Sequence, residues 1–570
     1  IRAKNCGELT YTVIAESGDF VDSETKTLFV LPSGLPKITQ FQQTLTKDQP
    51  WKQTVPVSGD SLYTVATVHI SFPNLVPALQ GIDSMVRYPH GCAEQVSSSI
   101  LLNIAALEYF TQHAYPSAKI QEVRELLQAG SIRLMAMEHP EGGWGWFQRN
   151  EVNVYLTAYV LRALTELRNA DFVVSEETLK RATHSILQHR NAEGLWNSQG
   201  IFFWETTNNA THLPLSAELF RILVSAYHQL NLPPEELLEL IKLKDLMVAY
   251  LKKNPEEPLG VAHAMSGLLE YAEWKKEPEL QKWVQSQFDF LVRLQKNGYW
   301  EPQWYHAYGG RVELNAVILE LLTSFESDSK ETLIRNCSAW LRSTQEAWGG
   351  WHNTIGTVAA VRALLKVTSS EQEIPCQVVV WVNGKEVAKV NIRPEDPYLT
   401  AVSLRHLEIS RYLVSGENTL EVAYGGNLKA PAQLVLKQWT RQEQVVANNK
   451  LSVERTSSSQ ASLGDLVGVK LNLKAQELLP YVLITESIPS NSQVEIRSLN
   501  ALLESKKIAD YKVENQTLYL YLTQIQGELQ LEYSMTPVLE GTASYARGTV
   551  EMMYQPTFKV SYAGTALKVE

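Results

Sequence analysis

The sequence Gly-Gly-Trp-Gly-Trp-Phe at residues 142–147 separates two segments with helical periodicity, and shorter versions of it recur along the chain. The recurrences are Gly-Leu-Trp at 194–196, Gly-Tyr-Trp at 298–300 and Gly-Gly-Trp at 349–351. A loop type that returns between helices is typical of a repeated helix-pair unit. Such pairs can close into an inner and an outer ring of helices, an α/α toroid, or they can stack as an open solenoid.

Apolar residues spaced three and four apart from about residue 73 to 370 predict about a dozen helices. The predicted helices are 75–87, 96–112, 119–137, 154–170, 175–190, 214–230, 235–253, 258–274, 278–296, 311–325, 329–345 and 354–370. We expect this block to be one large helical domain that carries the chemistry of the chain.

Both flanks of the helical block are β-rich. Short strand-like runs at 9–14 and 62–68 precede it, and an Asn-Gly hairpin turn at 383–384 follows it. Residues 442–462 are polar and are predicted to form an exposed connection. Two architectures stay open: separate domains in series, or a helical block inserted into one β domain whose strands pair across it.

The composition restricts the class of protein. At roughly 100–200 residues per domain, 570 residues predict about three to five domains. The net charge is −11 and no basic block stands out, so we expect no nucleic-acid and no anionic-membrane partner. Cys-x-x-Cys and His-Glu-x-x-His are absent, and no metal or cofactor is predicted. Because the sequence starts at Ile1 without a Met or a signal sequence, a processed or expressed fragment is expected.

The strongest chemical signal is Tyr-Pro-His-Gly-Cys-Ala-Glu-Gln at residues 88–95, directly before a predicted helix. Cys92 and Gln95 are three residues apart, so at helical pitch their side chains lie on one face. A Cys92 thiolate can then attack the Gln95 carboxamide and close an internal thioester with loss of ammonia. Gly91 permits a tight turn there, and a helix N-terminus stabilises a thiolate. The alternative is an inert, buried cysteine beside a surface glutamine.

The Gly-Cys-x-Glu-Gln string resembles the thioester motif of the alpha-macroglobulin and complement family. Residues 155–160, 353–360 and 553–556 are also similar to segments of that family, so the resemblance covers essentially the whole chain. It implies the C-terminal part of such a protein, with a thioester-containing α/α toroid inserted in a CUB-like β domain and flanked by macroglobulin-like β-sandwiches. The implied ranges are 1–31 for the tail of a preceding macroglobulin-like sandwich, 32–73 and 371–441 for the two CUB-like parts, 74–370 for the toroid, and 442–570 for a C-terminal, receptor-binding-type macroglobulin-like sandwich.

The resemblance also implies roles for single residues. Cys92 and Gln95 are the thioester pair, and Glu94 belongs to the motif, where we expect it to cap the first helical turn. In hydroxyl-reactive members of the family a His from the toroid attacks the thioester first. An alignment of this chain places Trp204 near that position, and His212 is the nearest histidine and a candidate catalytic residue. Without such a His, the thioester is expected to prefer amines.

Other residues near the motif have two interpretations each. Tyr88 and His90 flank it closely enough to shield or polarise the acyl group, or they pack locally. The tryptophans of the aromatic loops either wall a pocket that keeps water off the thioester or pack where the loops turn back into the helices. These tryptophans are Trp144, Trp146, Trp204, Trp300, Trp304 and Trp351. Among the remaining cysteines, Cys337 is predicted to be buried, and a bridge between Cys6 and Cys376 is left open.

The function implied by the resemblance is that of a proteinase inhibitor or trap that captures its target proteinase covalently. Its partners are then the proteinase and the rest of the macroglobulin chain. A single-use acyl transfer has no turnover, so the chain is not predicted to be an enzyme. A complement-like opsonin or adhesin that acylates surface hydroxyls or amines is the second hypothesis. A toroid enzyme such as a lyase or cyclase is the third, and the lack of an Asp-x-Asp-Asp-type string disfavours it. The family implies a role in innate defence and a secreted or periplasmic location.

Overall fold

The fold of the chain is described from a computed structural model, in which two compact units are distinguished: residues 73–372, and residues 1–72 together with 373–570. The described residues are 6–18, 20–30, 37–47, 49–70, 91–112, 117–148, 150–196, 212–230, 234–296, 298–302, 309–345, 350–351, 353–368, 376–392, 407–426, 430–440, 448–514, 516–544, 547–553 and 555–570. The first unit is helical and the second is built from β-sheets.

The strands are numbered along the whole chain. They are β1 (Gly7–Ser17), β2 (Phe20–Val30), β3 (Lys37–Leu45), β4 (Trp51–Val57), β5 (Ser61–Ile70), β6 (Gln295–Lys296), β7 (Tyr299–Trp300), β8 (Cys376–Val382), β9 (Lys385–Ile392), β10 (Leu407–Glu408), β11 (Gly416–Tyr424), β12 (Ala430–Thr440), β13 (Leu451–Ser457), β14 (Gln460–Ala461), β15 (Val467–Ser487), β16 (Ser492–Val494), β17 (Asp510–Glu514), β18 (Thr517–Pro537), β19 (Gly541–Ser544), β20 (Gly548–Met552), β21 (Gln555–Tyr562) and β22 (Ala566–Val569). Only β6 and β7 belong to the helical unit.

Two four-stranded sheets of the β unit combine strands from both sides of the helical block. One has the order β10-β5-β12-β3 and the other β4-β11-β8-β9, with every neighbour antiparallel. In the first, Leu434 of β12 lies opposite both Val68 of β5 and Phe41 of β3. Of the two architectures left open by the sequence, strand pairing therefore supports the insertion of the helical block into a β domain.

The predicted Asn-Gly hairpin is confirmed. Strands β8 and β9 pair antiparallel and are joined at Asn383 and Gly384, whose φ angles are 52° and 76°. Two positive φ angles define a type I′ turn, which matches the twist of the flanking strands. At the start of the chain, β1 and β2 pair as a two-stranded sheet.

The C-terminal part of the β unit is organised around the long antiparallel pair β15 and β18, with β13, β16, β17, β20 and β21 in the same sheet. The prediction that 442–462 is only an exposed connection is wrong, because β13 lies within it and pairs with β15. Inward positions of β13 include Arg455, whose buried side chain forms an ion pair with buried Glu486 at 3.4 Å. Because Arg455 takes an inward position where an apolar residue is expected, β13 lacks the apolar alternation that predicts a strand.

The helices are also numbered along the chain. They are α1 (Ala93–Gln112), α2 (Ser117–Ala136), α3 (Val154–Asn169), α4 (Glu176–Gln188), α5 (His212–Gln229), α6 (Pro234–Lys252), α7 (Pro258–Lys275), α8 (Pro278–Gln285), α9 (Phe288–Arg293), α10 (Gly310–Leu322), α11 (Lys330–Ser343), α12 (Thr354–Thr368) and α13 (Ile496–Glu504). All but α13 belong to the helical unit. No helix among the described residues is long and apolar enough to cross a membrane.

The helices agree closely with the predicted ones, with one correction. Predicted helix 75–87 lies outside the described residues. The single helix predicted at 278–296 is wrong, because the chain forms α8, α9 and β6 instead. The Ser286 hydroxyl (2.6 Å) and the Gln287 side chain (3.4 Å) both donate to the backbone carbonyl of Trp283, which a continuing helix needs as an acceptor.

Six of the described helices in the helical unit form an inner layer. Each of α1, α3, α5, α7, α10 and α12 contacts the next one, and α12 contacts α1, so the contacts close into a ring. The inner helix α1 is buried along nearly its whole length, whereas the outer helix α4 buries one face. The apolar residues of α1 from Ile100 to Phe110 lie on all sides of the helix, which favours a position inside the ring.

A repeated tryptophan joins outer to inner helices. The four tryptophans are Trp144, Trp196, Trp300 and Trp351, all fully buried. Each indole N–H donates to a carbonyl at the end of the preceding outer helix: those of Leu134, Ile186, Leu291 and Leu341, at 2.7, 2.7, 2.9 and 2.7 Å. Each backbone N–H donates to a polar side chain of the following inner helix: Thr157, Ser216, Asn315 and Thr357, at 2.9, 3.2, 2.9 and 2.8 Å. The predicted repeat is therefore a helix pair with a Gly-Trp junction.

We expect Trp351→Phe to lower the free energy of unfolding by about 1–3 kcal/mol, because the buried Leu341 carbonyl loses its indole donor. Chemical denaturation of the purified chain measures this loss. Trp340→Phe, at a half-buried site on α11, is the matched control and should cost less. Equal losses for the two variants would contradict the structural role assigned to the junction.

Candidate functional site

The motif predicted to carry the chemistry lies at the N-terminus of α1, an inner helix. Cys92 directly precedes the helix and is fully buried. The Val96 N–H donates to the Cys92 carbonyl at 3.0 Å, the first bond of the helical turn. The Cys92 N–H donates to the Gln95 side-chain oxygen at 3.3 Å. The carboxamide of Gln95 is thus folded back onto the residue that carries the thiol.

Gly91 makes this arrangement sterically feasible. Its φ is 99°, a value that residues with a Cβ rarely adopt. A Cβ at this position would lie 1.9 Å from Gln95 Oε1 and 2.9 Å from Gln95 Cδ. The space that a side chain at residue 91 would need is filled by the carboxamide of Gln95.

Two neighbouring elements hold the backbone of the motif. Arg133 of α2 donates from Nη2 to the Gly91 carbonyl at 3.1 Å. The Ala93 N–H, which the helix itself leaves without an acceptor, donates to the carbonyl of Trp146 at 2.9 Å. The Gly-Trp loop at 142–147 therefore contacts the motif directly, through its backbone.

Glu94 is also fully buried, and its side chain contacts the interior of the ring. Its Oε1 accepts the Ser98 hydroxyl at 2.6 Å and the hydroxyl of Thr354, the first residue of α12, at 2.8 Å. The Tyr159 hydroxyl of α3 lies 3.0 Å from the Ser98 hydroxyl, which already donates to Glu94, so Tyr159 is the donor to Ser98. Burial and then the charge of Glu94 raise the pKa of Tyr159 well above its ordinary value, which keeps it protonated.

Further charged groups line the inside of the ring next to Glu94. Burial, reinforced by the charge of Glu313, raises the pKa of Glu218 to about 8, against the opposing charges of Arg162 and Arg221. Burial also raises the pKa of Glu313, although the Gly309 N–H donates to its Oε2 at 2.9 Å. These groups come from α3, α5 and α10, so several inner helices contribute ionisable side chains to one buried region.

His263 of α7 belongs to the same region. It is 2% exposed, and neither ring nitrogen has a hydrogen-bond partner among the described residues. Burial, followed by the charges of Arg221 and Arg162, lowers its pKa well below the ordinary value. His263 is therefore neutral at pH 7. In the described part of the chain, no three His, Cys, Asp or Glu side chains are grouped to hold a metal.

Several residues predicted for the site lie outside the described ones. These are Tyr88, His90, Trp204 and Trp304. His212 begins α5, but its side chain is not among those described. Of the other predicted residues, Trp144, Trp300 and Trp351 lie at helix junctions, and Trp146 contacts the motif through its carbonyl.

Reasoning from the sequence missed the residues that hold the motif from other elements. These are Arg133, Ser98, Tyr159 and Thr354. One usable signal was the run of three serines at 97–99 inside an otherwise apolar helix, because buried hydroxyls require partners. The predicted burial of Cys337 is confirmed, and its thiol donates to the Asn315 carbonyl at 3.4 Å. The side chain of Cys376 lies outside the described residues.

Residues 65–232, which include the motif, match the family model described as the A-macroglobulin TED domain. Most of the matched range lies in the helical unit, which is similar over that range to the A-macroglobulin TED domain. The protein of Thermotoga maritima named Alpha-2-macroglobulin is 25% identical to the chain over 287 residues, which is 50% of this chain and 17% of that relative. The Escherichia coli protein of the same name is 24% identical over 524 residues, or 86% of this chain and 29% of that relative. The chain is therefore a relative of the alpha-macroglobulins, as the Gly-Cys-x-Glu-Gln string indicated, and it spans less than a third of the length of these two proteins.

Solved structures show the same fold. The native alpha-2-macroglobulin of Escherichia coli, spanning domain MG7 to the C-terminus, superposes with a TM-score of 0.63 at 18% identity over 99% of this chain and 87% of that one. A Salmonella alpha-2-macroglobulin reacted with methylamine gives a TM-score of 0.64 at 18% identity over 99% of this chain and 36% of that one. The fold of the chain is that of the C-terminal part of an alpha-2-macroglobulin, with a helical TED-like region and β-sheet domains.

We expect Gly91→Ala to lower the free energy of unfolding more than Gly298→Ala does. Both glycines have a positive φ, 99° and 90°, but an added Cβ at Gly298 meets nothing within 4 Å, whereas at Gly91 it collides with Gln95. Each substitution should cost about 1 kcal/mol for the backbone alone, and the collision adds to this only at Gly91. Urea denaturation measures both. A loss at Gly91 no larger than at Gly298 would contradict the contact between Gly91 and the Gln95 carboxamide.

Stability should depend on pH through Glu218. Its pKa is about 8 in the folded chain and about 4.3 in an unfolded one, so the folded state binds an extra proton between these values. The contribution of Glu218 to stability is complete below about pH 4.3 and is lost as the pH rises to about 8. Glu218→Gln should therefore flatten the decline in unfolding free energy between pH 5 and pH 8. Exposed Glu108→Gln on α1 is the control, and equal pH slopes for the two variants would contradict the assignment.

Proposed function

We propose that the chain is the thioester-bearing C-terminal part of a macroglobulin-type proteinase trap, which captures its target covalently through Cys92 and Gln95. The observation that carries the proposal is the Gln95 carboxamide folded back onto buried Cys92, in the space that Gly91 leaves. The relation to proteins named Alpha-2-macroglobulin supports the same function.

The internal bond forms by acyl transfer within the chain. The Cys92 sulfur attacks the carboxamide carbon of Gln95, the carbon–sulfur bond forms, and the carbon–nitrogen bond breaks. The thiol proton leaves with the nitrogen as ammonia. Position at the N-terminus of α1 favours the thiolate that makes the attack.

The stored acyl group is then passed to an outside nucleophile. An amine, such as a lysine of a captured proteinase, attacks the acyl carbon, an amide forms, and the sulfur leaves as the Cys92 thiol with the proton of the amine. Each chain reacts once, so the reaction is not enzymatic turnover. The burial of Cys92 supports a thioester that is shielded from water until a rearrangement of the chain exposes it.

The proposed architecture is a thioester-containing α/α toroid of residues 74–370 inserted in a CUB-like domain of residues 32–73 and 371–441. The closed ring of inner helices supports the toroid, and sheets that pair strands from both sides of the block support the insertion. Residues 1–31 would complete a preceding macroglobulin-like sandwich, and residues 442–570 would form the C-terminal one.

The proposed partners are target proteinases and the rest of a macroglobulin chain, in an extracytoplasmic location, either secreted or periplasmic. The structure of a Salmonella alpha-2-macroglobulin reacted with methylamine supports amines as acceptors. The alternative is transfer of the acyl group to surface hydroxyls, with His212 as the catalytic residue. Comparison of methylamine with glycerol as acceptors separates the two.

Methylamine should release one thiol per chain and leave a methylamide on Gln95. Cys92→Ala should abolish both the released thiol and covalent proteinase adducts without gross unfolding, because only the acyl acceptor is removed. Thiol titration and peptide mapping measure these outcomes. Cys337→Ala, another buried cysteine, is the control and should keep the methylamine response. A native chain with an ordinary Gln95 amide and an alkylatable Cys92 thiol would contradict the proposed function.

A further inference from the structure

Glu94 combines full burial with a position in the first turn of a helix. Carboxylates in the first turn usually face solvent and the helix N-terminus, where they stabilise the exposed N–H groups. Glu94 instead directs its carboxylate to the interior of the ring and accepts two hydroxyls there. Burial of a carboxylate destabilises the folded state unless hydrogen bonds replace those lost to water. The hydroxyls of Ser98 and Thr354 provide such bonds to Glu94.

The carboxylate lies where the ring closes. Thr354 begins α12, the last helix of the ring, and Glu94 is the second residue of α1, the first described helix of the ring. The bond between them therefore joins the two ends of the ring at a single oxygen. Ser98 extends the connection to Tyr159 of α3, on the other side of α1.

Glu94 is also one of the two residues, with Ala93, that lie between Cys92 and Gln95. It is bonded directly to Gln95 and connected to Cys92 through Ala93, so a shift of Glu94 acts on the backbone of both reactive residues. Arg133 and Trp146 hold the backbone of Gly91 and Ala93 from outside the turn. Glu94 holds the same turn from the inside of the ring.

We propose that Glu94 is a positioning residue for the acyl bond between Cys92 and Gln95, which it controls by fastening the motif turn to Thr354 and Ser98. The role rests on the proposed function. If Glu94 has this role, the hydroxyl of Thr354 affects how efficiently the thioester forms and how slowly water hydrolyses it. Thr354 lies on another helix, α12, and does not touch the reacting atoms.

Thr354 offers the sharpest test, because it can be changed without altering the motif. Thr354→Val removes the hydroxyl at nearly constant shape, and Thr354→Ser keeps it. The test uses the full 570-residue chain. Thr354→Val and Glu94→Gln should each lower the fraction of linked chains, or raise the rate of thiol release in the absence of methylamine, roughly tenfold. This is the factor expected for the loss of one charge-assisted hydrogen bond. Thr354→Ser should behave like the unmodified chain, and so should exposed Glu108→Gln on α1.

The measurements are the linked fraction by intact mass, the rate of thiol release with and without methylamine, and the thermal midpoint. If Glu94→Gln does not fold, the Thr354 pair decides alone. A Thr354→Val chain with a lower midpoint but unchanged linkage and release rates would overturn the proposal, since a purely structural contact gives that result. If the unmodified chain itself carries no link, the proposed function is wrong and the role of Glu94 falls with it. If the unmodified chain is linked and the Thr354→Val and Glu94→Gln chains show the same linked fraction and release rates, the role of Glu94 is wrong while the proposed function stands.

Discussion

The site depends on one steric constraint, the absence of a side chain at Gly91. The Gln95 carboxamide occupies that space and accepts the Cys92 N–H, which keeps the carboxamide beside the thiol-bearing residue. Without this fold-back, Cys92 and Gln95 would still be neighbours on one helical face, but the Gln95 carboxamide would not be bonded to the Cys92 backbone. In the proposed reaction, proximity of this kind is what makes attack between two ordinary side chains fast enough to occur.

The surrounding helices keep that turn in place. Arg133, Trp146 and Glu94 attach it to α2, to the Gly-Trp loop and, through Thr354, to α12. The repeated tryptophan junctions join four outer helices to the inner helices that follow them, including the junction whose loop bonds Ala93. The ring is thus both the scaffold of the motif and the cover that buries Cys92.

Local pattern predicted much of this fold. The helices, the Asn383-Gly384 turn and the resemblance of the motif follow from periodicity and from residues close in sequence. Features that depend on distant partners could not be predicted. Thr354 meets Glu94 only because the ring closes, and Arg455 can lie on the inward face of β13 because its partner Glu486 lies on another strand. After α8, the side chains of Ser286 and Gln287 compete with the backbone for the Trp283 carbonyl, which the apolar periodicity of 278–296 does not reveal.

The central claim is that Cys92 and Gln95 react with each other, and the mass of the native, unreduced chain tests it most directly. A linked chain is lighter than its sequence by one ammonia, and a peptide containing residues 92–95 carries the whole difference. We expect that loss in the freshly purified chain. A mass equal to that of the unmodified sequence, with Gln95 recovered as an amide and Cys92 as a thiol from folded protein, would contradict the claim.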